Sequence, residues 1–153
     1  MKKLFLFPFI LFSYALSQSL NADHFNNLKF RFIGPDGNRA ISVVGVSNDH
    51  NTYYVGAASG GLFRTKNNGI SWKPIFDDQD VSSVSALAIS QKNPNILWAG
   101  TGETFVIRPA HAIGDGIYKS TDGGDTWTNM GLKKTARIAR IIVHPNNDNI
   151  VYV

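Results

Sequence analysis

An all-β fold of repeated four-stranded antiparallel sheets is what this sequence predicts, and three observations carry that expectation. Short apolar runs alternate with polar turns rich in Gly, Asn and Asp along most of the 153 residues, the pattern of many short strands. An octapeptide recurs, T-K-N-N-G-I-S-W at 65–72 and S-T-D-G-G-D-T-W at 120–127, each time after a short apolar run. The cycle around it repeats as well: Ser47 to Ser90 is 43 residues and Ser90 to His144 is 54. Four strands in about 40 to 45 residues is the length of one β-propeller blade.

Residues 1–17 read as a secretory signal peptide. Lys2-Lys3 is the charged start, 4–12 is an apolar run broken only by Pro8, and Ala15-Leu16-Ser17 puts small residues where a signal peptidase reads. The run is well short of the ~20 apolar residues that a membrane span needs. Cleavage is therefore expected to leave no integral membrane segment, and the mature chain is expected to be secreted or held in a bacterial periplasm or envelope. Cys is absent, so no disulfide staples it, which suits a bacterial exported protein better than a small animal ectodomain.

A lead-in follows at 18–40. Residues 21–29 are polar and without a clear period, 30–33 alternate like a strand that stops at Gly34-Pro35, and 36–39 form a turn. Blade 1 is expected at 41–80, with strands at 41–46, 52–56, 61–65 and 72–75. Blade 2 is expected at 81–135, with strands at 84–89, 96–100, 116–120 and 127–130. A third blade opens at 136–153, with strands at 138–143 and 150–153, and is cut short. The second cycle is the longer one, and its excess lies between Gly100 and Gly116. This marks 103–115 as an inserted loop.

Within each octapeptide, Ser120 or Thr65, Asp122 or Asn67, Gly124 or Gly69, Thr126 or Ser71, and Trp127 or Trp72 coincide. Read locally, this is a tight hairpin turn. An Asp or Asn side chain folds back onto backbone N–H groups. Gly supplies positive φ where the chain reverses. The Trp offers a large apolar plate with one N–H to satisfy. The pattern S/T-x-D-x-G-x-T/S-W resembles the Asp-box, or BNR, repeat of sialidase-like propellers. The 120–127 copy matches at every motif position, and the 65–72 copy departs at Asn67.

Longer phrases carry the resemblance further: R-F-I-G-P, Y-Y-V-G-A-A-S-G-G-L-F-R-T, N-P-N-I-L-W-A-G-T-G-E and G-D-G-I-Y-K-S-T-D-G-G-D-T-W. These are similar to the start of large secreted bacterial propellers of the sortilin-like group, which share their repeat with xyloglucanase-type glycoside hydrolases. The resemblance covers nearly everything after the signal peptide. It implies an N-terminal fragment of a longer, many-bladed chain. In the xyloglucanase-type proteins an Asp stands shortly before the Gly-Gly of the first blade, in a T-D-V-G-G phrase. Here the phrase is A-A-S-G-G, and Ala58 holds that position.

The chemistry visible in the residues is sparse. Net charge is +4, half of it from Lys2 and Lys3, and the other charges are scattered. No basic stripe points to nucleic acid. Asp122 and Asp125 are too few for a Ca²⁺ cage of ~6–8 oxygens. His24, His50, His111 and His144 do not pair at metal-ligand spacing, so no metal is expected. No glycine-rich run follows a strand and opens a helix, and no other cofactor is indicated. Ser59, beside Gly60-Gly61, suits a turn better than a nucleophile. Asp36, Glu103 and Asp115 are the carboxylates near strand ends that a hydrolase could draw on. The inserted loop gathers Glu103, Arg108, His111 and Asp115 among apolar residues. Long loops on a rigid scaffold tend to carry function. The expectation is a binding or scaffold module for a protein or glycan partner, or alternatively a glycoside hydrolase.

Overall fold

The computed structural model describes residues 21–28, 34–35, 39–104 and 112–153. The signal peptide, the strand at 30–33, most of the 36–39 turn including Asp36, and Arg108 and His111 lie outside them. The chain divides into two compact units, Met1–Phe32 and Ile33–Val153. In the first, a single 3-10 turn spans Ala22–Phe25. Asn21 caps it, accepting from the Asp23 N–H at 2.8 Å, as short polar side chains do at helix starts.

The second unit is all-β. Strands β1 (Ala40–Val46), β2 (Asp49–Ala57), β3 (Leu62–Thr65) and β4 (Lys73–Pro74) form one antiparallel sheet in sequence order. Strands β5 (Val84–Ile89), β6 (Leu97–Thr101), β7 (Ile117–Ser120) and β8 (Thr128–Asn129) form a second with the same order. β9 (Ile142–His144) and β10 (Asn147–Tyr152) pair as the start of a third. These are propeller blades, as the repeat predicts. Pro74 is tolerated because β4 is an edge strand, where one N–H fewer breaks no ladder.

Several strand boundaries differ from the sequence reading, most of them by one residue, and β10 begins at Asn147 rather than at 150. β2 starts at Asp49 because Ser47-Asn48 alone make the turn, with Val46 opposite Asp49 and Asn48 at φ 65°. Asn tolerates that left-handed conformation. His50 thus lies in β2 and His144 ends β9, rather than both lying in turns. Residues 138–141, expected in a strand, form no ladder. Ile138 N–H instead donates to Thr101 O at 3.0 Å, and Ile138 and Ile141 are buried against the second blade.

The core lies between blades rather than inside one. A cluster built on Tyr54, Leu62, Phe76, Val84, Leu97 and Tyr118 joins the first two sheets. Phe76 sits edge-on to both Tyr118 and Trp127, with ring centroids 5.1 and 5.3 Å apart, a geometry that aromatic pairs favour. A second cluster, including Ala86, Trp98, Ile117, Ile138 and Val143, joins the second sheet to the third. A hydroxyl repeats the linkage at each seam. Ser42 Oγ donates to Val84 O at 2.8 Å, and Ser85 Oγ donates to Ile138 O at 2.7 Å. Gly56 and Gly100 hold equivalent places on β2 and β6, and a Cβ there would come within 2.3 Å of Val84 O on the second sheet and 2.5 Å of Ile138 Cγ2 in the segment leading to the third. The next repeat approaches too closely at these points for any side chain.

Candidate functional site

In an antiparallel sheet taken in sequence order, successive turns alternate between its two ends. The octapeptide turns therefore share one end with the β1–β2 and β5–β6 turns. The β2–β3 bend, the inserted loop and the link between sheets lie at the other.

At the first end, residues 120–127 close on themselves. Ser120 Oγ accepts from the Gly124 N–H at 2.8 Å and donates to Asp122 Oδ1 at 2.7 Å. Asp122 accepts from the Thr126 hydroxyl at 2.5 Å and from its N–H at 2.9 Å. The Thr126 hydroxyl, then the Thr126 N–H and the Ser120 hydroxyl, hold the Asp122 carboxyl down at about 2, since hydrogen bonds to the charged form favour it. Gly124 takes φ 92°, and a Cβ there would meet Ile75 Cδ1 at 2.7 Å.

Residues 65–72 repeat the frame. Thr65 Oγ1 accepts from the Gly69 N–H at 2.9 Å and donates to Asn67 Oδ1 at 2.9 Å. Asn67 Oδ1 accepts from the Ser71 N–H at 2.9 Å. One bond is reversed: Asn67 Nδ2 donates to Ser71 Oγ at 2.8 Å, where Asp122 accepts. In both turns the Ser or Thr, the Asp or Asn, the Gly and the following Thr or Ser bond to one another and hold the reversal.

The 120–127 turn is also gripped from outside by the first blade. Tyr54 OH and Arg64 Nη1 both donate to Gly123 O, at 3.0 and 2.7 Å. Arg64 Nη2 pairs with Asp125 Oδ1 at 2.9 Å, and Trp127 Nε1 donates to Ile75 O at 2.8 Å. Arg64 is a buried cation whose guanidinium forks between a carbonyl and a carboxylate, an arrangement suited to Arg. Burial is the largest influence raising the Tyr54 phenol above its ordinary value. Sequence reasoning missed Tyr54 and Arg64, which stand directly opposite one another on β2 and β3, and weighed Asp125 only as a cation ligand.

At the other end, the inserted loop is anchored at both feet. Glu103 is buried, its N–H donates to Ala112 O at 2.8 Å, and its carboxylate pairs with Arg39. Asp115 Oδ2 accepts from Tyr118 OH at 2.6 Å. Burial, and then this bond to Asp115, push the Tyr118 phenol up. Thr101 Oγ1, fully buried, accepts from the Asp115 and Gly116 N–H groups at 3.0 and 3.1 Å. Of the four loop residues singled out from the sequence, Glu103 and Asp115 are therefore bound into the scaffold. Ala58 is buried, with its N–H on Arg39 O at 2.9 Å, and Ser59 lies in the β2–β3 bend. Among the described residues no three His, Cys, Asp or Glu side chains gather as metal ligands, and no helix is long and apolar enough to cross a membrane.

No family model and no curated protein matches the sequence. Solved structures do match the fold. An ancestral GH74 enzyme superposes with a TM-score of 0.60 at 21% identity, over 80% of this chain and 16% of that one. The GH74 enzyme of Niastella koreensis gives 0.51 at 18% identity, over 66% of this chain and 15% of its own. The chain spans only that small part of either enzyme, and at such identity the likeness is one of fold: this chain is built as GH74 propeller blades are.

Proposed function

We propose that the chain is the N-terminal part of an exported, sortilin-like propeller with Asp-box repeats, and that it binds a glycan or protein partner at the end of the sheets bearing the 103–115 loop. The observation that carries this reading is the anchoring of that loop. Glu103 N and Ala112 O are 2.8 Å apart, so the connection leaves and rejoins the scaffold at one point. The Arg39 and Tyr118 bonds then fix its feet. A connection presented from a rigid base suits recognition, because less ordering is left for the moment of binding. In the sequence, residues 105–111 set Arg108 and His111 beside Phe105, Val106, Ile107 and Pro109.

A second reading, a glycoside hydrolase, is favoured by the two fold neighbours, both of which are GH74 enzymes. Hydrolysis needs two carboxyl groups across a sugar, one of them able to give or take a proton. Glu103 and Asp115 already serve Arg39 and Tyr118, and Ala58 has no acid to offer. Binding without cleavage fits these residues better.

The test replaces 105–111 with a Gly-Ser link, keeping Glu103 and Asp115. Xyloglucan oligosaccharides and a panel of other glycans and secreted proteins would be titrated against both forms. Binding that falls at least tenfold while the unfolding midpoint holds supports the reading. Binding that survives, or the release of reducing ends from xyloglucan by the unmodified chain, overturns it.

A further inference from the structure

The 65–72 turn carries cations that its twin lacks. Where the second repeat has Thr121 and Thr128, the first has Lys66 and Lys73. The second turn closes on the same bonds with threonine at both places, so the conformation does not call for lysine. Lysine at 73 even costs stability. Arg64 and Lys73 stand directly opposite one another on β3 and β4, and like charges so placed repel. One carboxylate answers them both: Asp125 lies 2.9 Å from Arg64 Nη2 and 4.0 Å from Lys73 Nζ. Lys66 is exposed and makes no ion pair among the described residues.

These three cations line an open groove of about 320 Å³ together with Asn67, Ser71 and Trp72, and no carboxylate is among its lining residues. Arg64 and Lys73 both reach toward Asp125 of the second blade, so the groove lies at the seam with a blade that is already in place and leaves it open. Ser71 Oγ accepts from Asn67 Nδ2 at 2.8 Å, and its own hydrogen is left to donate. Arg64 and Lys66 also wall a second hollow of about 180 Å³, which crosses the seam to Asp49, Thr52, Asn95 and Asp122. There the character changes. The Thr52 hydroxyl first of all holds the Asp49 carboxyl below its ordinary value, and the turn does the same for Asp122. Ionised carboxylates only accept hydrogen bonds.

We propose that these adjoining hollows bind an acidic polysaccharide in which charged and neutral sugars alternate. The carboxylate of one sugar sits on Lys66 and Lys73 and accepts from the Ser71 hydroxyl. Its neutral neighbour donates hydroxyls to Asp49 and Asp122. A nucleic acid or an acidic peptide fits less well, because each successive unit brings a negative charge against those two carboxylates, and like charges brought together at an interface select against a partner. The site lies at the octapeptide end of the sheets, away from the 103–115 loop, and does not rest on the partner assigned there.

The probe is a hyaluronan hexasaccharide, in which glucuronate alternates with an uncharged N-acetyl sugar, titrated calorimetrically into the chain at low salt. Binding is expected, and it should weaken as salt rises. The double variant Lys66→Thr, Lys73→Thr, which copies the second repeat, should weaken it about tenfold, the sum of two exposed charge contacts, without lowering the unfolding midpoint. Replacing 105–111 with the Gly-Ser link should leave it unchanged, which separates this site from the one at the other end of the sheets. Absence of binding, equal binding by the double variant, or loss of binding with the Gly-Ser link overturns the proposal. So does an uncharged chitin hexasaccharide, a hexaglutamate peptide or a hexathymidylate that binds as tightly.

Discussion

Residues 65–72 and 120–127 fold into the same turn on the same bonds, from Thr65 or Ser120 to the glycine N–H and from Asn67 or Asp122 to the Ser or Thr four residues on. Their surroundings differ. The 120–127 turn is held by Tyr54, Arg64 and the Ile75 carbonyl of the preceding blade, and its glycines are buried. The 65–72 turn lies beside an open groove lined by Arg64, Lys66, Lys73 and Trp72, and Ile70 at its tip is exposed. The octapeptide thus encodes a local conformation. The cohesion between blades comes from Trp127 within it, which reaches Ile75 and Phe76, and from Tyr54 and Arg64 outside it, which the motif does not specify.

The largest effect expected from this difference is at the two tryptophans. Trp127→Ala removes a ring edge-on to Phe76 and the N–H bond to Ile75, and should lower unfolding free energy by about 3 kcal/mol, the lower end for a truncated core aromatic. Trp72→Ala should cost clearly less. Urea unfolding of both variants compares them directly, and equal losses would mean that the two turns carry the same load.

Arg64→Met comes next. It strips one donor from Gly123 O and the nearer of two cations from Asp125, leaving Lys73 at 4.0 Å, and should cost about 2 kcal/mol, the range for a hydrogen bond to a charged group. Lys66→Met, in the same groove without such bonds among the described residues, should stay within about 0.5 kcal/mol. Tyr54→Phe, losing a neutral bond to the same carbonyl, should cost about 1 kcal/mol. A Tyr54 loss exceeding that at Arg64 would reverse the ranking of the two grips.

The smallest effect separates Asp122 from Asn67 by pH. The Asp122 carboxyl is lowered from 3.8 to about 2. Its contribution is therefore complete above the ordinary value and is lost as pH falls through about 2. Asp122→Asn should give a shallower loss of stability with acid than the parent chain, and Asn67→Asp a steeper one. Parallel acid titrations of unfolding midpoint would show it. Identical slopes for the parent and Asp122→Asn would break the distinction.

Much of the fold was legible because its signals are local. The ten turn residues, the strand runs and the insertion between Gly100 and Gly116 all announce themselves within a few positions. The grip on 120–127 was not legible, because Tyr54, Arg64 and Ile75 lie 69, 59 and 52 residues from their partners. Glu103 shows the same limit. Its place in a long loop reads as recognition, whereas a partner 64 residues away turns it into an anchor. Residues 138–141 have the apolar run of a strand, yet Ile138 bonds to Thr101 and packs over Gly100, so tertiary contact decides their conformation.

The first two sheets are stitched together at the 120–127 turn. Nuclear Overhauser contacts from the Trp127 indole proton test this most directly. Cross-peaks from that proton to Ile75 and Phe76 of the preceding blade are expected, together with slow solvent exchange from its bond to Ile75 O. An indole proton that exchanges freely and shows contacts only within residues 117–130 would contradict it.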